Sequence, residues 1–241
     1  MDNALTFEKR IAVITGATGG LGSTVTRQLA ERGASLALLD IDPARLEGLS
    51  SSLQLPETRL LARTVDLLSP EETHSAAEAV RSKFGKIDIL LHLVGGWTGG
   101  KSLVDVPEQE LTFMLNQHVR TSFHVIQAFV PHLVQNGWGR IVMISSPSAT
   151  RPNANSGPYA VGKAGQEALV LALSQELHGT GVTANLLLAR TIDAKREKIA
   201  HPTPENSSWT TPEELSAEIV HLLGDEAGMI NGARIPLYGS Y

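Results

Sequence analysis

Seven short runs rich in Val, Ile and Leu punctuate this chain: Ile11 to Thr15, Leu36 to Asp40, Leu60 to Val65, Ile87 to Val94, Arg140 to Ile144, Thr183 to Leu188 and Arg234 to Leu237. Most are separated by longer stretches with helical periodicity. Strands that are apolar on both faces and alternate with helices require a parallel sheet covered on both sides, joined by right-handed crossovers. The predicted fold is therefore α/β, a doubly wound Rossmann-type sheet with helices on both faces. No shift in composition, linker or repeat divides the 241 residues, so residues 1–241 are expected to form one domain, its N-terminal half binding a cofactor and its C-terminal half a substrate. Ser69-Pro70-Glu71-Glu72 and Thr211-Pro212-Glu213-Glu214 read as helix starts, each with a hydroxyl N-cap, Pro at N1 and Glu at N3. Ala189 to Thr210 is expected to be the one long irregular stretch.

The first run leads directly into Thr15-Gly16-Ala17-Thr18-Gly19-Gly20-Leu21-Gly22 and then a helical stretch, Ser23 to Arg32. Gly16 permits a tight reversal, Gly20 lets backbone approach a pyrophosphate, and Gly22 lets helix and strand pack closely. Position between first strand and first helix turns a glycine cluster into a nucleotide-binding signal. Asp40 ends the second strand, where a carboxylate accepts from adenosine ribose hydroxyls and repels a 2'-phosphate. No basic residue follows until Arg45, so NAD(H) is the expected cofactor, with NADP(H) as the alternative. Asp66, after the third run, fits either a contact to the adenine amino group or a turn.

Ser145 and Ser146 end the fifth run, and Tyr159-Ala160-Val161-Gly162-Lys163 opens a helix downstream. Four residues along a helix share a face, roughly 6 Å apart. To move a proton near neutrality a tyrosine must lose some two to three units from its pKa of about 10. A nearby ammonium supplies about one to three, and a positively charged nicotinamide would add the rest. A Ser146 hydroxyl would orient the reacting carbonyl.

Together the glycine turn, the Ser146 to Tyr159 spacing and the Tyr-x-x-x-Lys pair resemble the short-chain dehydrogenase/reductase family along nearly the whole chain. The resemblance implies hydride transfer between a nicotinamide cofactor and a carbonyl or secondary alcohol. It implies that Tyr159 is the general acid/base, that Lys163 lowers its pKa and holds the nicotinamide ribose, and that Ser146 orients substrate. It also implies a relay asparagine, matched by helix position to Asn116. Cofactor contacts fall on Gly16, Thr18, Gly20, Leu21, Gly22, Asp40, Asp66, Leu67, Val94, Gly95, Tyr159, Lys163 and Ile192. A seven-stranded sheet and a homodimer or homotetramer assembled through helices such as Gly165 to Glu176 follow in the same way.

The chain departs from that family where Asn-Asn-Ala-Gly is replaced by His92-Leu93-Val94-Gly95, removing the asparagine that braces the sheet, and where Ala189-Arg190 replaces Pro-Gly. The segments around Trp97 and from Thr191 to Trp209 resemble dihydropteridine reductase, and Trp97 is a candidate to stack on a flat substrate or to cover the cofactor. Ser146, an alanine in that enzyme, favours ketone or alcohol chemistry instead. The altered Ala189-Arg190 loop leaves a third reading, a sensor that binds NAD(H) without turnover. The loop before Thr211 is short for the family, which predicts an open site with little lid. Arg190 and Arg151 are the cations near the expected pocket that could hold a substrate carboxylate or phosphate, and each is read first as a solvated surface position. His118, His124 and His132 do not have metal-ligand spacing, and no catalytic metal is expected.

A net charge of -5 with scattered Lys and Arg argues against nucleic-acid binding. No apolar run reaches membrane-spanning length, and Met1 to Arg10 lack a signal-peptide core. With no cysteine in the chain, these features point to a soluble, cytoplasmic protein acting on a small molecule.

Overall fold

The computed structural model describes residues 6–238. Its strands are β1 (Ile11–Thr15), β2 (Ser35–Asp40), β3 (Leu60–Thr64), β4 (Ile89–His92), β5 (Gly139–Ser145), β6 (Val182–Leu188) and β7 (Arg234–Pro236). They form one seven-stranded sheet in the order β3-β2-β1-β4-β5-β6-β7. Every adjacent pair is parallel. All seven predicted runs are thus strands, with edges shifted by a few residues.

The five inner strands β2, β1, β4, β5 and β6 bury both faces, as their largely apolar sequences require, while the edge strands β3 and β7 are only partly covered. In β1, Ile11 and Val13 enter one core while Ala12 and Ile14 enter the other. Helices α1 (Gly20–Glu31), α2 (Pro43–Leu53) and α8 (Pro212–Leu222) cover the second core with Val25, Leu29, Leu46, Leu215 and Ile219. Helices α3 (Pro70–Phe84), α5 (Thr121–Gln135) and α6 (Gly157–Glu176) cover the first with Val80, Phe129, Leu133 and Val170. Phe129 is wholly buried, and its truncation to Ala would cost about 3 to 5 kcal/mol.

Both predicted helix starts are present, but they differ. Thr211 and Glu214 make a reciprocal capping box, Glu214 N donating to Thr211 Oγ1 at 3.2 Å and Thr211 N to Glu214 Oε2 at 2.8 Å. At α3 only half forms: Ser69 Oγ accepts from Glu72 N, while the Glu72 carboxylate reaches back to Asp66 N at 2.9 Å.

There are two long irregular stretches rather than one. Residues 93–107 hold only a single turn at Leu103–Asp105, because Gly95, Gly96, Gly99 and Gly100 disfavour regular structure there. Residues 189–210 are pinned in place. Asp193 caps the one-turn helix α7 (Glu197–Ala200) by accepting from Glu197 N and Lys198 N, and Lys198 Nζ bonds Trp209 O and Glu214. Asn206 clips the far end to Thr203 and His201. Between α4 (Glu108–Met114) and α5 the chain makes a π-helical turn, Leu115–Arg120. Sheet order reverses between β1 and β4, which opens a crevice at their carboxyl ends.

Candidate active site

A cleft of about 320 Å³ lies on that crevice. It brings together Gly16, Thr18, Asp40, Asp66, Leu67, Val94 and Gly95 of the predicted cofactor residues. Gly16 has φ +67°, and a Cβ there would lie 3.0 Å from Val94 N. At Gly22 a Cβ would meet Gly16 O at 2.1 Å, so only glycine lets α1 start this close to β1. The first turn of α1 has no side-chain cap and no acidic residue, leaving its amides free to meet an anion. Those features fit a dinucleotide. Gly20 serves a further purpose: a Cβ there would meet the Ala194 methyl at 2.6 Å, so the 189–210 loop rests on the glycine turn. Leu21 is buried in the core under that turn rather than among the cleft residues.

Asp40 is built into the turn. Its Oδ2 accepts from Thr18 N (2.9 Å) and Thr18 Oγ1 (2.8 Å), and its Oδ1 accepts from Ile41 N (2.8 Å). Arg45, too distant in sequence to count before, also lines the cleft, donating from Nη2 to Thr18 O at 2.6 Å. Its position on the first turn of α2, three residues past the Asp42 cap, was the available signal. Asp66 lines the cleft and also makes the turn foreseen for it, accepting from Leu68 N at 2.9 Å.

Beside this cleft lies an inner cavity of about 470 Å³ containing Tyr159, Lys163, His118, Trp97, Arg190 and Ile192. Tyr159 and Lys163 project from the first two turns of α6 into this one space, as their spacing predicts. Gly162 permits the site by letting α6 approach the end of α4 and the turn after it, for a Cβ would lie 2.9 Å from Met114 O and 3.0 Å from the His118 ring. An outer cup of about 430 Å³ shares Tyr159, Trp97 and Arg190 and adds Ser146, Asn153 and Asn155. Trp97 is 65% exposed on the rim of both spaces.

The electrostatics differ from expectation. Burial raises the Tyr159 pKa, and a hydrogen bond with Ser146 only partly offsets this. The Lys163 ammonium donates to Ile144 O at 2.7 Å and Gln166 Oε1 at 3.0 Å, and burial lowers its pKa to about 7, partly opposed by Glu167. Desolvation, which disfavours whichever form is charged, therefore dominates both partners. Gln166 is fixed in turn by donating to Ser122 Oγ at 3.0 Å. Glu167 is held behind the site by Ser145 and Arg234.

Asn116 does not join Tyr159. It borders a separate depression with Glu108, Thr112 and Phe113, its Oδ1 buried and unpartnered. The residue of that turn facing Tyr159 is His118, edge-to-face with the phenol ring at 5.7 Å. Two residues along a helix turn a side chain by about 200°, to the opposite face. Stepping back from buried Phe129 and Val125 through Ser122 by helical intervals lands on His118, the signal that positional matching missed. His118 Nε2 donates to Gly96 O at 2.9 Å, which leaves Nδ1 as a buried acceptor without a partner. Burial and Lys163 hold its pKa at about 3.

His92 replaces the missing brace. Its Nδ1 shares a hydrogen bond with Thr15 Oγ1 (2.8 Å) and its Nε2 one with Thr121 Oγ1 (3.4 Å), tying β4 to β1 and α5. Complete burial, with Lys163 and His118 nearby, holds its pKa at about 3.

Residues 10–203 match the family model for short chain dehydrogenase. The chain belongs to that family. It is 26% identical to acetoacetyl-CoA reductase of Allochromatium vinosum, covering 95% of this chain and 97% of the relative. It is 30% identical to the 7alpha-hydroxysteroid dehydrogenase of Escherichia coli over 75% of this chain and 70% of that one. A short-chain type dehydrogenase/reductase from Mycobacterium ulcerans shares the fold with a TM-score of 0.87 at 23% identity, covering 97% of this chain and 90% of that chain. As a short-chain dehydrogenase, the protein is an NAD(P)-dependent oxidoreductase interconverting carbonyl and alcohol groups in a small molecule. Among the described residues, no helix is long and apolar enough to cross a membrane.

Proposed function

We propose that this short-chain dehydrogenase acts as an NADH-dependent carbonyl reductase, with Tyr159 as the proton donor, Ser146 as the orienting hydroxyl and Lys163 as the charge beside them. The observation that carries this reading is the shared cavity of Tyr159 and Lys163, bordered by the cleft at the glycine turn. The nicotinamide ring, when bound, supplies or accepts the hydride.

Burial keeps the Tyr159 phenol protonated near neutrality, the form that donates to a carbonyl oxygen becoming an alcohol. Ser146, 2% exposed, sits beside it and has its Oγ fixed by accepting from Ser148 N at 3.2 Å, which leaves the hydroxyl proton for the Tyr159 and substrate oxygens. Lys163 Nζ is anchored on main chain, so its charge stays in place as the phenol loses its proton. The dinucleotide would lie along Gly16, Thr18, Asp66, Leu67, Val94 and Gly95, with its nicotinamide end reaching Ile192 and Lys163. Asp40 supports NADH over NADPH, since its carboxylate is fixed toward the cleft by Thr18 and opposes a second anion. Apolar Phe113, Phe123 and Val161, about half exposed on α4, α5 and α6, support a homo-oligomer built on those helices.

Following NADH absorbance with a panel of ketones tests the reading. Turnover should appear with the native chain and fall by about 10²-fold or more in Tyr159→Phe; an undiminished variant removes the assigned role.

A further inference from the structure

We propose that Gln166 is a positioning residue of the proton-transfer site: its carboxamide holds the Lys163 ammonium charged and oriented beside Tyr159 without neutralising it. This deepens the carbonyl-reductase reading and rests on the role given there to Lys163.

The polarity of the hydrogen bonds allows one arrangement. Lys163 and Gln166 lie three residues apart on α6 and so share a face. An ammonium can only donate, so the atom 3.0 Å from Lys163 Nζ is the Gln166 side-chain carbonyl oxygen, and the amide nitrogen is turned to Ser122 Oγ, also at 3.0 Å. Having accepted from Gln166, the Ser122 hydroxyl donates to His118 O at 2.6 Å. The bonds thus run from the lysine to the π-helical turn, whose His118 ring meets the Tyr159 ring edge-to-face. One network braces both Tyr159 and Lys163.

Burial makes the choice of side chain informative. Gln166 and Ser122 are wholly buried, and the same face of α6 continues with apolar Val170 and Leu173. A carboxamide in such a place costs stability unless it is fully engaged, whereas an apolar side chain would not. What the carboxamide supplies is an acceptor. Of the three ammonium protons, Ile144 O takes one at 2.7 Å and Gln166 takes another, which leaves one N–H for the cavity that Lys163 lines together with Tyr159.

A carboxylate in place of Gln166 would grip the lysine more firmly but cancel its charge. Glu167, the next residue, is turned away onto Ser145 Oγ at 2.7 Å and Arg234 Nε at 2.8 Å. The other ionisable groups around Lys163 are Tyr159 on α6, His118 on the π-helical turn, His92 on β4 and Arg190 after β6, and none of these is a carboxylate. The ammonium therefore meets neutral acceptors and keeps its charge for the phenolate that forms as Tyr159 gives up its proton.

The test titrates Lys163 directly, by carbon-13 NMR of the lysine ε-carbons in the full chain, its signal assigned by its loss in Lys163→Met. Burial places the native titration at about pH 7. Gln166→Met keeps the volume and removes the acceptor, so the titration should move down by about one to two units, the worth of a hydrogen bond to a charged group. Gln166→Glu keeps the shape and adds an opposite charge, so it should move up by about one unit or more. The upper limb of the kcat/KM profile for ketone reduction with NADH, which falls as Lys163 loses its proton, should move in the same two directions. A merely structural role moves neither. A titration unmoved in both variants, or moved the same way in both, would overturn the proposal while the reductase reading stands. Should Gln166→Met not fold, the upward shift in Gln166→Glu supports the proposal and its absence overturns it. Opposite shifts by NMR with an activity limb that stays fixed would fail the role of Lys163 in the reductase reading, and the proposal with it.

Discussion

Acidification should destabilise this protein through two buried histidines. His92 and His118 are buried and neutral, with pKa values lowered from 6.5 to about 3. In the unfolded chain each takes a proton as pH drops through 6.5, while the folded chain refuses it until about 3. Their neutral-form stability is complete above 6.5 and is lost progressively as pH falls toward the folded values. With two more protons bound by the unfolded state, the slope is about 2.7 kcal/mol per pH unit. Between about pH 6.5 and 4.5 that amounts to about 5 kcal/mol, against a typical total of about 5 to 15. Urea unfolding followed by circular dichroism at about pH 7, 6 and 5 measures the slope directly. His118→Asn should halve it by removing one site. His92→Asn should halve it too, after lowering stability at neutral pH by about 1 to 3 kcal/mol through the bonds to Thr15 and Thr121. A stability that stays flat from pH 7 to 5, or a slope unchanged in both variants, would refute the reasoning.

Three further outcomes follow from the site. Asp40→Ala should cut the NADH over NADPH preference by about tenfold through lost repulsion, and it should also weaken NADH because Thr18 loses its anchor; both affinities are read by fluorescence titration. Gly22→Ala should cost about 3 kcal/mol or more and abolish dinucleotide binding, since its Cβ would press on Gly16 O, as thermal unfolding with and without NADH will show. His118→Ala should lower kcat/KM about tenfold more than Asn116→Ala does, because only His118 faces Tyr159; the reverse order would restore Asn116 to the site.

The sheet was legible in the sequence because its inner strands are apolar on both faces, the pattern of a sheet covered on both sides. The glycine turn was legible for a harder reason: Gly16 and Gly22 sit where any Cβ meets backbone. Tyr159 and Lys163 were readable because one helix fixes their separation, whatever the rest of the fold does. Asn116 was not, because it lies within a π-helical turn, and a position matched by count there lands on a different face from the one that meets Tyr159. Arg45 was passed over because sequence separation hides which cations a cleft gathers. The His92 brace was invisible as well, since it depends on two threonines brought in from β1 and α5.

Protonation in the inner site follows from the same burial. Lys163, His92 and His118 are three basic groups in one desolvated region, and Lys163 contributes to lowering the pKa of both histidines. One positive charge there makes a second costly. It belongs to Lys163, whose unperturbed value of 10.5 lies four units above that of a histidine, so the same desolvation still leaves it at about 7. Near neutral pH the histidines are therefore fixed acceptors or donors with no charge to give. Of the three basic groups, Lys163 is the one that carries charge near neutrality, in the cavity it shares with Tyr159. Held by the Ile144 carbonyl and Gln166, that charge is fixed in the cavity lined by Tyr159, and the histidines beside it stay neutral.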